Sequence, residues 1–374
     1  MVKLRHAVIA ALSIAALAGP ARAADIVIGT AGPTSNAEAL FGTTWMNGME
    51  LAIRDANATG GVNGQKITLR REDDGGDPKQ GTLIAQKYCD SPEVVAVIAN
   101  FNSGVTIPSS DVYNRCNMPQ VSNSSNPRIT QRGYKNLVRP IANDLMQGAA
   151  PARYALETLK AKTAAVVHDK QAFGQGVAEV FRQSFTNGGG RVVNFSGVTA
   201  TDVDFSALIT SLRGEKPDVV YYGGTLPAVA LFLKQMREQG MTAQFFAADA
   251  AFLKDFINGA GQQAAQGTIV SFQAPPYDST EALRRFAADY KAAFHEDPGP
   301  YSSYGYMEVS VLVDAMKRAG SPLSRDKIVA ELPKTNMASL LGHVSFDSKG
   351  ELRDPFVFLY QVKGDDFSLV KTGP

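Results

Sequence analysis

The sequence is poor in the residues that carry most catalysis and metal binding. Its 374 residues include four histidines, two cysteines and one tryptophan. His6, His168, His295 and His343 have no spacing that would gather them around one metal ion. No G-x-S-x-G elbow and no Walker A motif occurs. Gly174-Gln175-Gly176 begins like a dinucleotide fingerprint but lacks the third glycine. The acidic run Asp73-Asp74-Gly75-Gly76-Asp77 lacks the spacing and closing glutamate of a calcium loop, so it reads as a turn and a helix cap. These absences argue against an enzyme, and they predict neither cofactor nor metal. A charge excess is missing too. The formal net charge is +1, which excludes the broad basic footprint of a nucleic-acid binder.

Long apolar runs are also scarce, and the exception is at the start. Lys3, Arg5 and His6 are followed by an apolar stretch from Ala7 to Ala18, then Gly19-Pro20 and Ala21-Arg22-Ala23. This is the pattern of a cleavable secretory signal over residues 1–23, with the cut expected between Ala23 and Ala24. Its apolar core is too short to span a bilayer, and no later run reaches the roughly 20 residues that a membrane helix needs. No lipobox cysteine stands near the cut. A soluble exported product is therefore expected. The leader carries three of the 37 basic residues and none of the 36 acidic ones, so the remainder is near −2. Its length suggests two domains at about 150 residues each. Secretion also bears on Cys89 and Cys116. In a reducing cytosol both would be buried thiols, whereas an exported chain favours one disulfide between them.

After the leader, strand and helix patterns alternate. Strands are expected at Asp25–Thr30, Lys66–Glu72, Val94–Ala99, Met118–Ser122, Thr163–His168, Arg191–Phe195, Asp218–Tyr222 and Gln244–Ala248. Between them lie helical patterns at Gly42–Ala58, Lys79–Tyr88, Ile107–Asn114, Leu145–Leu159, Gln175–Thr186, Phe205–Leu212 and Ala228–Gln239. Asp77-Pro78 reads as an N-cap with proline at the first helical position. Such alternation means parallel sheets with helices on both faces, an α/β fold. Right-handed crossovers place the loops after the strands along one edge of each sheet, where such folds bind ligands.

Two of those loops are small and polar. Asn100-Phe101-Asn102-Ser103-Gly104 follows one strand, and Asn123-Ser124-Ser125-Asn126-Pro127 follows another. Each residue alone would serve as a helix cap. Two such loops on adjacent strands point to an anion site of hydroxyls and free backbone N–H groups. Asp249 follows a strand of the second half and could hold an ammonium group. Phe41, Phe173, Tyr301 and Tyr304 also lie at element ends. Singly, each is core packing as readily as a cleft wall.

The segments AGPTSNAEALFG, NATGGVNGQKITL, DDGGDPKQ, IPSSDVY, RITQRGY, VVHDKQAFGQG, DFSALITSLR, DVVYYGG and HVSFDSKGEL run through nearly the whole exported chain. In these segments and their order the chain resembles the periplasmic leucine/isoleucine/valine-binding family of ABC-importer solute receptors. The resemblance implies a type I periplasmic binding protein fold of two Rossmann-like lobes joined by three crossings. The lobes would be residues 24–142 plus 273–346 and residues 143–272 plus 347–374. It implies a monomer that closes around an amino acid, branched-chain or related, and presents it to a membrane permease.

By the same resemblance Ser103 matches the serine that binds the ligand carboxylate. Asn123, Ser124 and Ser125 fall on the segment that binds carboxylate and amine, and Asp249 falls on the acid that pairs with the amine. Phe41, Phe173 and Tyr301 match aromatic wall positions. The pattern is departed from at several places. Asp249 is shorter than the family's glutamate, Thr225 replaces an aromatic residue, and Asn123 replaces a smaller alanine. Asn102 stands where relatives carry a disulfide cysteine, so a Cys89–Cys116 bridge would be a different one. These changes surround the expected ligand. They leave open the same receptor class for another small carboxylate, amide or aromatic acid, and a sensory ligand-binding module.

Overall fold

The computed structural model describes residues 25–373, so the expected signal segment lies outside the described residues. The first half of the chain supplies β1 (Ile26–Gly32), β2 (Ile67–Asp73), β3 (Val94–Ala99), β4 (Gln120–Val121) and β5 (Leu137–Val138). They form one sheet in the order β2-β1-β3-β4-β5, with every neighbouring pair parallel. Parallel strands need crossovers, and these are α1 (Ala39–Ala58), α2 (Pro78–Asp90), α3 (Ser103–Arg115) and the single turn α4 (Arg128–Gln131). Because helices cover both faces, the central strand β3 is the unbroken apolar run VVAVIA rather than an alternating one. The Asp77 side chain accepts the Gln80 N–H and Pro78 opens α2, as a capped helix start requires.

The chain then passes to a second sheet. Helix α5 (Asp144–Glu157) leads to β6 (Thr163–His168), α6 (Ala172–Asn187), β7 (Arg191–Gly197), α7 (Ser206–Glu215) and β8 (Val219–Gly223). Helix α8 (Ala228–Glu238), β9 (Gln244–Ala247), the short helices α9 (Lys254–Ala260) and α10 (Gln262–Ala265), and β10 (Ile269–Phe272) complete this run. Next, α11 (Glu281–Phe294), α12 (Ser302–Ala319), α13 (Arg325–Glu331) and the hairpin β11 (Asn336–Ser339) with β12 (Gly342–Ser345) return to the first sheet. The last strands, β13 (Val357–Lys363) and β14 (Asp366–Gly373), extend the second sheet to the order β14-β13-β10-β9-β8-β6-β7, pairing antiparallel at its edge. The chain thus crosses between sheets three times, near residues 139–143, 273–280 and 346–356.

Helix α12 packs on α1 at close range. A Cβ on Gly48 would lie 1.9 Å from the Ser302 carbonyl oxygen, and one on Gly305 would lie 2.1 Å from that of Trp45. Only glycine allows that approach. Beside it the Trp45 indole donates to the buried Glu308 at 2.7 Å. The start of α12, next to Tyr301, is tied to α1 by the Ser302 hydroxyl, which donates to the Thr44 carbonyl at 3.0 Å.

Several bounds differ from the sequence reading: α1 begins at Ala39 rather than Gly42, α7 runs to Glu215 and β7 to Gly197, and three further differences have clear causes. The strand expected at Met118–Ser122 is confined to Gln120–Val121, because Pro119 cannot donate to a ladder. Helix α3 begins at Ser103 rather than Ile107 and carries Pro108 inside it. Helix α6 begins at Ala172, ahead of Gly174 and Gly176. Those glycines serve packing. A Cβ on Gly174 would sit 2.3 Å from Asp169 Oδ1, and one on Gly176 would sit 2.8 Å from the Asn126 side-chain nitrogen.

Candidate functional site

The loops that follow β3 and β4 face those that follow β6, β8 and β9 across a cleft. Together with the starts of α1 and α12 they enclose a cavity of about 320 Å³, within the size of small-molecule sites. Nine of the ten expected contact residues line it: Phe41, Asn102, Ser103, Asn123, Ser125, Phe173, Thr225, Asp249 and Tyr301. Ser124 does not. Its hydroxyl bonds the Phe101 carbonyl at 2.8 Å, the Asn100 carbonyl at 3.1 Å and the Thr106 hydroxyl at 2.5 Å. Side chains alternate along an extended segment, so Asn123 and Ser125 face the cavity while Ser124 faces the lobe beneath.

One end of the cavity offers neutral donors. Helix α3 runs for 13 residues, and its N-cap Asn102 makes no side-chain bond to the helix. Asn102 instead donates to Glu38 at 2.6 Å. The first backbone N–H groups of α3 therefore have no capping side chain, and the helix dipole favours an anion there. Ser103 is buried and its oxygen accepts the Asn126 N–H at 3.4 Å, which leaves its own proton to donate. Ser125 lies beside it. Asn123 is 5% exposed and its Oδ1 has no hydrogen-bond partner.

The other end holds Asp249, just after β9. It is 6% exposed and forms no ion pair among the described residues. Two amides reach its Oδ2, Gln273 at 3.1 Å and Gln147 at 3.3 Å, and the Tyr301 hydroxyl also bonds this carboxylate. Burial pushes its carboxyl up to about 6, with the Gln273 and Gln147 bonds pulling the other way. Tyr304 donates to Gln273 at 3.1 Å and so orients that amide towards Asp249. Asp169, at the end of β6, is buried behind the same wall. It accepts the Gln171 and Thr225 N–H groups, and burial raises its carboxyl to about 6.

Between these ends the walls are aromatic. Tyr301 meets Phe41 edge-on at 5.5 Å and Phe101 at 5.0 Å, while Phe41 and Phe101 stack at 5.9 Å. Phe173 and Leu226 close the wall from the opposite lobe. Sequence reasoning missed Phe101, Glu38, Gln171 and Leu226. Phe101 lay within a loop read for its polar residues. Glu38 sits at the start of α1, whose neighbour Phe41 was the only residue singled out there. The lining includes two carboxylates, Glu38 and Asp249, and no lysine, arginine or histidine. Among the described residues no group of three or more potential metal ligands occurs.

The chain matches the periplasmic binding protein family over residues 25–366. It is 35% identical over 348 residues to an "Amino acid binding protein" of Pseudomonas aeruginosa, covering 91% of each chain. It is 36% identical over 348 residues to "Leu/Ile/Val-binding protein homolog 2" of Brucella abortus, covering 92% of each. Its fold matches the crystal structure of a leucine binding protein from Thermotoga maritima with a TM-score of 0.86 at 28% identity, over 93% of this chain and 98% of the other.

Proposed function

This chain belongs to the periplasmic binding protein family, and from that premise we propose that it is the capture subunit of an ABC importer for an α-amino acid. The branched-chain amino acids for which its relatives are named are the first candidates. The observation that carries this reading is the charge pattern of the cavity. Its lining has no cationic side chain and a buried carboxylate at Asp249, so a ligand bearing only negative charge finds repulsion at that end, while Glu38 at the other end is occupied by the Asn102 amide. A zwitterion finds neutral donors for its carboxylate at Ser103, Ser125 and the start of α3, and a buried acid for its amine at Asp249. The aromatic wall then holds the side chain.

In this account the ligand carboxylate docks first on the lobe that carries Ser103 and Ser125. Hinge closure at the three crossings then brings Phe173, Thr225 and Asp249 over it. Ligand shifts this equilibrium because it touches both lobes only in the closed form. The carboxyl of Asp249 is mostly ionised at pH 7, and pairing it with an ammonium replaces the water it lost on burial. The protein works in the periplasm as a monomer, and its closed form is what the membrane permease recognises. No step makes or breaks a covalent bond.

Asp249→Ala and Ser103→Ala, measured by titration calorimetry with L-leucine, L-isoleucine and L-valine, test this assignment. Removing one partner of a buried ion pair costs about 3–5 kcal/mol, so Asp249→Ala should weaken amino-acid binding by two orders of magnitude or more. Ser103→Ala should weaken it by roughly tenfold, the loss of a hydrogen bond to a charged group. Unchanged affinity in both variants contradicts the assignment.

A further inference from the structure

We infer that the buried Arg139–Glu351 pair is the positioning element for the carboxylate-binding loop, holding Ser125 and Ser103 where a ligand carboxylate needs them. This rests on the functional reading above. Arg139 follows β5 at the first crossing, and its side chain is 0% exposed. The guanidinium divides its donors between two places. Towards Glu351, in the third crossing, Nε donates to Oε2 at 3.1 Å and Nη2 donates to Oε1. Towards the loop, Nη1 donates to the carbonyls of Ser124 at 3.0 Å and Asn126 at 2.8 Å. Those two carbonyls flank Ser125, which lines the cavity. The Thr130 hydroxyl accepts from Nη2 at 3.2 Å and also bonds Glu351. The Arg139 backbone N–H donates to the Gly350 carbonyl at 2.8 Å.

A buried ion pair is not by itself a net stabiliser, because desolvation offsets the attraction. What the planar fork supplies, and an apolar side chain or a lysine does not, is several donors aimed at fixed acceptors at once. The loop needs them because it lies outside the sheet ladder and has irregular backbone. The two serines are linked through Asn126. Asn126, gripped through its carbonyl by Arg139, gives its N–H to Ser103. The Ser125 carbonyl is held in turn by the Asp144 N–H at 3.0 Å. Arg139 does not line the cavity, so it acts on the ligand only through this loop. It also ties the loop to two of the three crossings that must bend on closure.

The test compares L-leucine with L-leucinol, in which the carboxylate is replaced by a hydroxymethyl group, and L-alanine with L-alaninol as a second pair. Dissociation constants are measured by calorimetry on wild type, Arg139→Lys and Glu351→Gln, each checked for folding by circular dichroism. Both variants should lose roughly tenfold in amino-acid affinity, the scale of one charge-assisted hydrogen bond. Amino-alcohol affinity should change by less than about threefold, so the carboxylate preference collapses. A merely structural role would weaken both ligand types equally and leave the preference intact, and that result overturns the inference. If Arg139→Lys does not fold, Glu351→Gln carries the test alone. A wild-type protein with no preference for the amino acids over their alcohols overturns the functional reading instead.

Discussion

The side-chain nitrogen of Asn126 donates to the carbonyl of Ala172 at 2.8 Å, a hydrogen bond from the loop after β4 to the first residue of α6. It joins the two lobes directly, next to the Ser103 and Ser125 hydroxyls. A hydrogen bond of this kind is worth about 0.5–1.5 kcal/mol net. Asn126→Ala should therefore reduce ligand affinity by roughly two- to twelvefold, with less compaction on ligand addition in small-angle scattering. Gly176→Ala should act in the same direction, since its methyl group would meet the Asn126 nitrogen at 2.8 Å.

Acid should act in opposite directions on stability and on binding. Burial raises Asp74, Asp169 and Asp249 to about 6 and Asp144 to about 7, from an ordinary value of 3.8. These four groups therefore take up protons more readily in the folded protein than in the unfolded chain between about pH 4 and pH 7. His168, lowered from 6.5 by burial, works in the other direction. Each of the four carboxyls favours the fold as pH falls through that window, by up to about 1.4 kcal/mol per pH unit. The melting temperature of the ligand-free protein should rise from pH 7.5 to pH 5. Amino-acid affinity should fall below about pH 6, as Asp249 becomes neutral and its pairing with the ammonium is lost. Calorimetry across this range checks both signs.

The disulfide should matter for stability and not for binding. Cys89 and Cys116 are bonded, with Cα atoms 5.8 Å apart and a separation of 27 residues. They tie the C-terminal ends of α2 and α3, whereas Ser103 begins α3 at its other end. By chain entropy the closed loop contributes at most about 3.5 kcal/mol. A Cys89→Ser/Cys116→Ser double variant should melt several degrees lower and keep its ligand affinity within about twofold, since the site lies outside the bridge's reach.

Much of this was legible because the physics is local. The strands Val94–Ala99 and Thr163–His168 coincide with the expected ranges, since a buried parallel strand is an unbroken apolar run. Asp77-Pro78 marked its helix start for the same reason. The sequence pattern starts α3 and α6 too late because Pro108 and the glycines at 174 and 176 break propensity, while tertiary contact overrides it. The orientation of Ser124 could not be read, because one residue of register decides which face a side chain takes. Arg139 gave no signal at all. An arginine in a loop reads as exposed, and its partner lies 212 residues away.

The pairing of Asp249 with a ligand ammonium is tested by a thermal-shift and calorimetric comparison of residues 24–374 with amino acids and with their amine-free acids. The probes are L-leucine and 4-methylpentanoate, L-valine and 3-methylbutanoate, and benzoate. Ligand at about 100 times its dissociation constant adds roughly 2.7 kcal/mol of stability, seen as a raised midpoint. At least one amino acid should raise the midpoint at pH 7.5, its amine-free counterpart should not, and Asp249→Asn should remove the difference. An amine-free acid that binds as tightly as the amino acid, with Asp249→Asn leaving both unaffected, would contradict that pairing.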